Sequence, residues 1–205
     1  FGDAVIEFDN GKLNFNGKKV VVIGGGDTAM DCVRTAVRQG ARSVKCLYRR
    51  DRNNMPGSQR EVQNAEEEGV EFVWLSSPKG FVGGKVMKGV KVSNMRLGLV
   101  DATGRQFPEE IEDSSYIEDA DVVIKALGFD PENIKVLWNY PEIETTRWGT
   151  IKTDFQTHST NLKNVYAIGD ISRGASLVVW AIKDGQEAAE NIISKLKKSL
   201  KFAAE

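Results

Sequence analysis

The stretch from Lys19 to Arg50 constrains this chain more than any other. Val20 to Ile23 form a short β-branched run of the kind that is buried on both faces of a parallel sheet. Gly24, Gly26 and Ala29 then fall in the spacing G-x-G-x-x-A. In a strand–turn–helix unit the first glycine allows a tight turn and the second lets a pyrophosphate approach the backbone. The small third residue lets the helix pack closely on the strand. Met30, Val33 and Val37 recur at helical spacing, with Ala29, Cys32 and Ala36 alongside, and Gly40 is placed to stop the helix. The free N–H groups and positive dipole end of that helix suit a pyrophosphate. The candidate cradle is therefore Gly24, Gly25, Gly26, Asp27, Thr28 and Ala29. Asp27 is the awkward member, because an acid at a helix start competes with phosphate for the same donors. It reads as an N-cap that somewhat reduces the anion field.

A second strand follows over Val44 to Tyr48, and the residues at its tip choose the cofactor. An acid there suits the ribose 2′-hydroxyl of NAD, and an arginine suits the 2′-phosphate of NADP. Here the tip is Arg49-Arg50. Guanidinium groups stay charged and match phosphate geometry. At roughly 1.5–3 kcal/mol per charge-assisted bond, two contacts favour NADPH on the order of a hundredfold. Asp51, next door, is the alternative ribose acid of an NAD site. The bland alternative to the whole stretch is a flavodoxin-like βαβ unit that binds nothing.

Composition narrows the function class. With 205 residues, of which 40% are apolar and 28% charged, the chain is long enough for a real core in one or two domains. Its net charge of −1 implies no nucleic-acid surface, and the basic cluster near residue 50 is local. No run of about eighteen apolar residues is present, so no membrane-spanning helix is expected, and no signal peptide is visible. Cys32 and Cys46 lack C-x-x-C spacing and read as buried small hydrophobes, so no metal or iron–sulfur site is expected in this chain. The single histidine, His158, has no nucleophile motif near it and reads as a loop or capping residue. No side chain is a strong acid–base candidate, so no catalytic residue is assigned.

The rest of the chain gives a coarse architecture. Phe1 in place of an initiator Met, and a connecting passage over residues 1 to 17, suggest a piece of something longer. Ser58 and Glu61 have capping-box spacing at the start of a helix that Gly69 ends. Arg60 on that helix faces either the cleft or solvent. Val70 to Leu75 read as a third strand. A hairpin turn at Gly83-Gly84 then opens an alternating stretch over residues 86 to 99, whose phase slips near Ser93-Asn94 as if at a bulge. Asp101 to Gly104 read as a turn, and Gln106-Phe107 as a short return strand. Ala120 to Ala126 form a fourth core strand ending at Gly128, where a ligand can lie close to the backbone; a plain turn explains it equally well. Residues 129 to 150, punctuated by Pro131, Pro141 and Gly149, look like a crossing between domains. Short strands are expected over Thr150 to Thr153 and Asn164 to Gly169. The second ends in Gly169-Asp170, where Asp170 serves a sugar-like ligand or an Asx turn. A long amphipathic helix starts at about Ser176. The fold class is α/β, a Rossmann-like parallel sheet with an antiparallel β-meander.

Two blocks carry a family resemblance. Gly24-Gly-Gly-Asp-Thr-Ala-Met-Asp-Cys-Val-Arg-Thr-Ala with Tyr48-Arg-Arg-Asp-Arg and Met55-Pro-Gly-Ser is the first. Tyr166-Ala-Ile-Gly-Asp with Ser176-Leu-Val-Val-Trp-Ala-Ile-Lys-Asp-Gly-Gln-Glu-Ala-Ala is the second. In this order and spacing they resemble the small (β) subunits of NADPH-dependent glutamate synthases and their relatives, over nearly the whole chain. The resemblance implies an FAD/NAD(P)-binding, pyridine nucleotide-disulfide oxidoreductase-like architecture in which an FAD domain is interrupted by an NADPH domain. It implies hydride transfer from NADPH to FAD, iron–sulfur relays outside this chain, a large (α) subunit as partner and a cytoplasmic location. Carried over, Gly24, Gly26 and Ala29 take the pyrophosphate and Arg49 and Arg50 the 2′-phosphate. Gly169 and Asp170 take the FAD ribityl and phosphate region, and Ser176, Leu177 and Val178 lie near the flavin ring.

The departures are the missing N-terminal cysteines and the missing FAD pyrophosphate motif. They imply residues 1–17 as a connection, 18–128 as the NADPH domain, 129–150 as the crossing and 151–205 as the C-terminal part of the FAD domain. They also imply that this chain binds NADP, holds an incomplete FAD site and does not turn over alone. Two other readings stay open: a related NAD(P)H:flavin electron-transfer subunit with a different acceptor, and a non-catalytic nucleotide-binding module.

Overall fold

A computed structural model describes residues 14–100, 104 and 106–202. Residues 1–13 of the expected passage over 1–17, and most of the expected turn at Asp101 to Gly104, lie outside the described residues. The chain folds as two units that divide between Gly128 and Phe129.

The first unit is built on four parallel strands. They are β1 (Lys19–Ile23), β2 (Ser43–Tyr48), β3 (Glu71–Trp74) and β8 (Val122–Lys125), in the order β3-β2-β1-β8. β1 lies at the centre, with Val20 beside both Val44 and Val122. Its residues alternate between two cores. Val20 and Val22 face one side with α1 (Asp27–Arg38) and α2 (Gln59–Glu67), while Val21 and Ile23 face the other with Val90 and Val92. That is why the run is apolar at every position.

Helix α1 buries Ala29, Met30, Cys32, Val33 and Ala36. It ends where Gly40 turns at φ +79° and Ala41 N–H donates back to the Ala36 carbonyl at 3.2 Å, a left-handed helix stop. The thiols of Cys32 and Cys46 are free and buried. Burial pushes them up to about 11 and about 12 respectively.

The second face of the sheet is covered by the meander of β4 (Ser76–Gly83), β5 (Met87–Val100), β6 (Gln106–Glu110) and β7 (Tyr116–Asp119). Leu75 makes the corner between the two sheets with φ +54°. The hairpin at Gly83-Gly84 forms as expected. The bulge expected at Ser93-Asn94 does not. β5 instead pairs with β4 as far as Asn94 and hands over to β6 from Met95 onward. The phase of its apolar residues changes because its partner changes. The register shifts fall elsewhere, between Pro78 and Gly80, Val82 and Gly83, and Leu97 and Val100.

The capping box at Ser58 also fails. Ser58 is the N-cap of α2 without a side-chain bond; its N–H, which a box would give to Glu61, goes to Asp27, and Glu61 pairs with Arg34 on α1. Arg34 bonds Glu68 as well, at 2.7 Å. An ion pair to a guanidinium outcompetes a local cap.

The second unit has a small core of Ile134, Ile143, Ile151 and Ala167. Its helices are α3 (Ile134–Leu137), α4 (Asp170–Arg173) and α5 (Val178–Phe202). The two short strands expected here reduce to isolated bridges among the described residues, Thr145 to Ile151 and Ser159 to Tyr166. The long helix starts at Val178 rather than Ser176. It turns Ala181, Asp184, Gly185, Ala188 and Ile192 inward and leaves Leu177, Val178, Val179 and Ile182 exposed. Among the described residues no helix is long and apolar enough to cross a membrane.

Candidate functional site

A cleft of about 570 Å³ opens at the carboxyl ends of β1, β2 and β8. Ligands bind at that end of open parallel sheets, where strand order reverses. Gly24, Gly25, Gly26 and Thr28 line it from β1 and α1, Arg49 and Arg50 from β2, and Gly128 from β8. The glycine turn, the arginine tip and the glycine after the fourth strand, predicted from three separate stretches, therefore meet in one crevice.

Each glycine of the turn has its own reason. Gly24 sits at φ +147°, and a side chain there would run into the Ala126 carbonyl. Gly25 is held against the Tyr48 ring, which occupies the space a Cβ would need. Gly26 has nothing within 4 Å of a Cβ position, so its open side is the one a ligand can approach. Ala29 is fully buried between α1 and the sheet.

Asp27 does not cap α1. Gly26 is the N-cap, and no side chain bonds the helix start. The Asp27 carboxylate instead accepts the N–H of Ser58 at 2.9 Å, and Asp27 is not among the residues lining the cleft. The donors at the start of α1 are left for an anion, and the competition expected from Asp27 is removed by a partner 31 residues away.

The two arginines differ. Arg50 is only 6% exposed, and its Nε donates to the Gln106 carbonyl at 2.7 Å. Arg49 is exposed and has no partner among the described residues. Asp51, the alternative ribose acid, is committed elsewhere. Its Oδ1 accepts both the backbone and side-chain N–H of Asn54, at 2.9 and 2.8 Å. Its carboxylate thus closes its own loop. Arg60 is exposed and does not line the cleft.

Several lining residues carried no signal in the sequence. Ser76, Ser77 and Pro78 come from β4, and Tyr48, whose hydroxyl donates to the Asn54 carbonyl at 2.9 Å, supports the loop. The aromatic residue just before the arginine tip was the one available hint.

In the second unit, Gly169 adopts φ +69° and Asp170 begins α4, exposed and without a side-chain bond among the described residues. Ser176, Leu177 and Val178 are exposed ahead of and at the start of α5. The dominant polar group is one the sequence did not flag. Asp184, 1% exposed, takes two bonds of 2.6 Å from Arg173 and one of 3.2 Å from the Gly169 N–H. The guanidinium holds the Asp184 carboxyl below its usual range. His158, in a loop at φ +58°, places Nε2 3.4 Å from Glu187. His158, Asp184 and Glu187 lie close enough to suggest a metal triad, but both Asp184 oxygens are already taken by Arg173, so Asp184 belongs to that ion pair and not to a ligand set.

The chain is similar to known proteins over most of its length. The chain is 65% identical over 205 residues to a putative glutamate synthase (NADPH) small chain of Cereibacter sphaeroides, covering all of this chain and 49% of that one. It is 62% identical over 191 residues to the glutamate synthase (NADPH) small chain of Azospirillum brasilense, covering 93% of this chain and 40% of that one. The chain thus spans half or less of the length of these relatives. In fold it is similar to the thioredoxin reductase of T. acidophilum, with a TM-score of 0.70 at 22% identity over 88% of this chain and 53% of that one. With the pyridine nucleotide-disulphide oxidoreductase model matching residues 3–185, the chain belongs to that family.

Proposed function

We propose that the first unit is an NADPH-binding domain and that the whole protein is the small chain of a glutamate synthase. What carries this reading is the meeting of Arg49 and Arg50 with the Gly24–Gly26 turn in one cleft. The residues fit the group. Gly26 is open on the side a pyrophosphate would take, the start of α1 is free of side-chain caps, and the arginine tip stands at the end of the neighbouring strand. Gly24, Gly25, Gly26 and Thr28 hold the pyrophosphate with Ala29 packing the helix on the strand, Arg49 and Arg50 hold the 2′-phosphate, and Gly128 leaves room along β8.

Residues 18–128 form this domain, 129–150 a crossing, and 151–205 the C-terminal part of an FAD-binding domain. There Gly169 and Asp170 meet the ribityl and phosphate region, and Ser176, Leu177 and Val178 approach the ring. When bound, the nicotinamide supplies a hydride and the flavin accepts it. In this reading the protein's part is to bind and orient, and no side chain is assigned a proton transfer. In the whole protein the electrons pass by iron–sulfur clusters to a large subunit, which makes glutamate from glutamine and 2-oxoglutarate.

A related electron-transfer subunit with another acceptor would use a cleft of the same kind, and the acceptor side separates the two. The test is oxidation of NADPH by the whole protein with a dye acceptor. Activity with NADPH well above that with NADH supports the reading. Nucleotide binding without any dye reduction favours a non-catalytic module.

A further inference from the structure

We propose that Asp27 is a positioning residue for cofactor choice, tying the arginine-bearing loop to the glycine turn so that the pyrophosphate cradle and the 2′-phosphate clamp form together. This rests on reading the cleft as an NADPH site.

An acid at the mouth of an anion site is unfavourable in itself, so its partner has to account for it. Asp27 is the first residue of α1, and its Oδ1 accepts the N–H of Ser58, the N-cap of α2, at 2.9 Å. One carboxylate therefore joins the starts of two helices. A charge-assisted bond of this kind is stronger than a neutral one. The segment it fixes begins directly after Arg50 and runs to Ser58.

The remaining ties of that segment point the same way. Gly57 N–H donates to the Gly25 carbonyl at 2.9 Å, and a Cβ on Gly57 would sit 3.1 Å from that same oxygen. The Tyr48 hydroxyl holds Asn54 at 2.9 Å. Met55 is buried, and Pro56 lines the cleft. The segment is a strap laid across the glycine turn, fastened to that turn by the Asp27 carboxylate and to α2 by the ion pair of Arg52 with Glu66 at 2.7 Å. A purely local role, favouring the α1 dipole, would need no partner in the strap.

The test is titration of the 205-residue chain with NADPH and with NADH, for the wild type, Asp27→Ala, Asp27→Asn and Ser58→Pro. Asp27→Ala should weaken NADPH about tenfold more than NADH, lowering the ratio of the two affinities. Asp27→Asn keeps an oxygen acceptor and should restore that ratio to within about threefold of wild type. Ser58→Pro removes the donor from the strap side, its ring displacing the Asp27 carboxylate from the lost N–H, and the Ser58 φ of −57° suits proline. It should lower the ratio as Asp27→Ala does, so the proposal stays testable even if Asp27→Ala fails to fold. Equal weakening of both nucleotides, or an unrescued Asp27→Asn, overturns the proposal. A wild-type chain that discriminates while both Asp27→Ala and Ser58→Pro leave its ratio intact overturns the proposal alone. A wild type that does not discriminate overturns the reading of the cleft together with it.

Discussion

Arg50 donates from Nε to the main-chain carbonyl of Gln106, 2.7 Å away. The bond links the tip of the parallel sheet to the first residue of β6 in the meander. It makes the two arginines of the tip unequal, one pinned and buried and the other exposed.

Single substitutions should separate them. Arg49→Ala is expected to weaken NADPH by about tenfold, the loss of one charge-assisted bond, with little change in melting temperature. Arg50→Ala should weaken NADPH and also destabilise the fold by about 1–3 kcal/mol, because the Gln106 carbonyl loses its donor. NADH should be affected far less in both. Calorimetric titration and urea unfolding check the two halves. Equal loss of both nucleotides in the Arg49→Ala, Arg50→Ala double variant would remove the arginines from the 2′-phosphate.

The glycine turn offers a second contrast. Gly24→Ala meets both a positive φ and the Ala126 carbonyl, so it should cost roughly 1–3 kcal/mol or more. Gly26→Ala finds open space at an ordinary φ of −94°. It should leave stability within about 0.5 kcal/mol while obstructing the close approach of a pyrophosphate. Thermal melts and nucleotide titration of both variants distinguish a structural glycine from a binding one.

In the second unit, Arg173→Met would leave the buried Asp184 carboxylate with only the Gly169 N–H and should lower the melting temperature by several degrees. The pH dependence has a definite sign. Asp184 is held below its usual range when folded. Its contribution is therefore complete above the unfolded carboxylate value of about 4 and is lost as pH falls through the lower folded value. The gap between wild type and Arg173→Met should be widest near neutrality and shrink in acid. Melting curves across that range would show it, and a gap that grows on acidification would contradict the pairing.

The thiols give a probe of core integrity. With burial pushing Cys32 to about 11 and Cys46 to about 12, the thiolate is scarce at neutral pH. Neither should react with a maleimide in the native chain, and both should react once it is unfolded, as mass spectrometry would report.

The parts of this protein legible in the sequence are those set by local period. Val20 to Ile23, the glycine spacing and the helical recurrence of Met30 and Val33 fix strand, turn and helix without distant help. The alternation around Val90 and Val92 likewise revealed the meander. The misread parts depend on partners far along the chain. Asp27 looked like a cap because Ser58 lies 31 residues on, and Ser58 with Glu61 looked like a box because Arg34 was not in view. The slip in β5 looked like a bulge because strand pairing cannot be read from one strand. Asp184 hid in an amphipathic helix as one more polar residue, and only packing against Arg173 and Gly169 sets it apart.

The central claim is that a glycine turn and an arginine tip form one site selective for the 2′-phosphate. Calorimetry of the chain with NADPH and then NADH tests it most directly. The account predicts NADPH bound on the order of a hundredfold more tightly, and equal affinity for the two nucleotides, or tighter NADH, would contradict it.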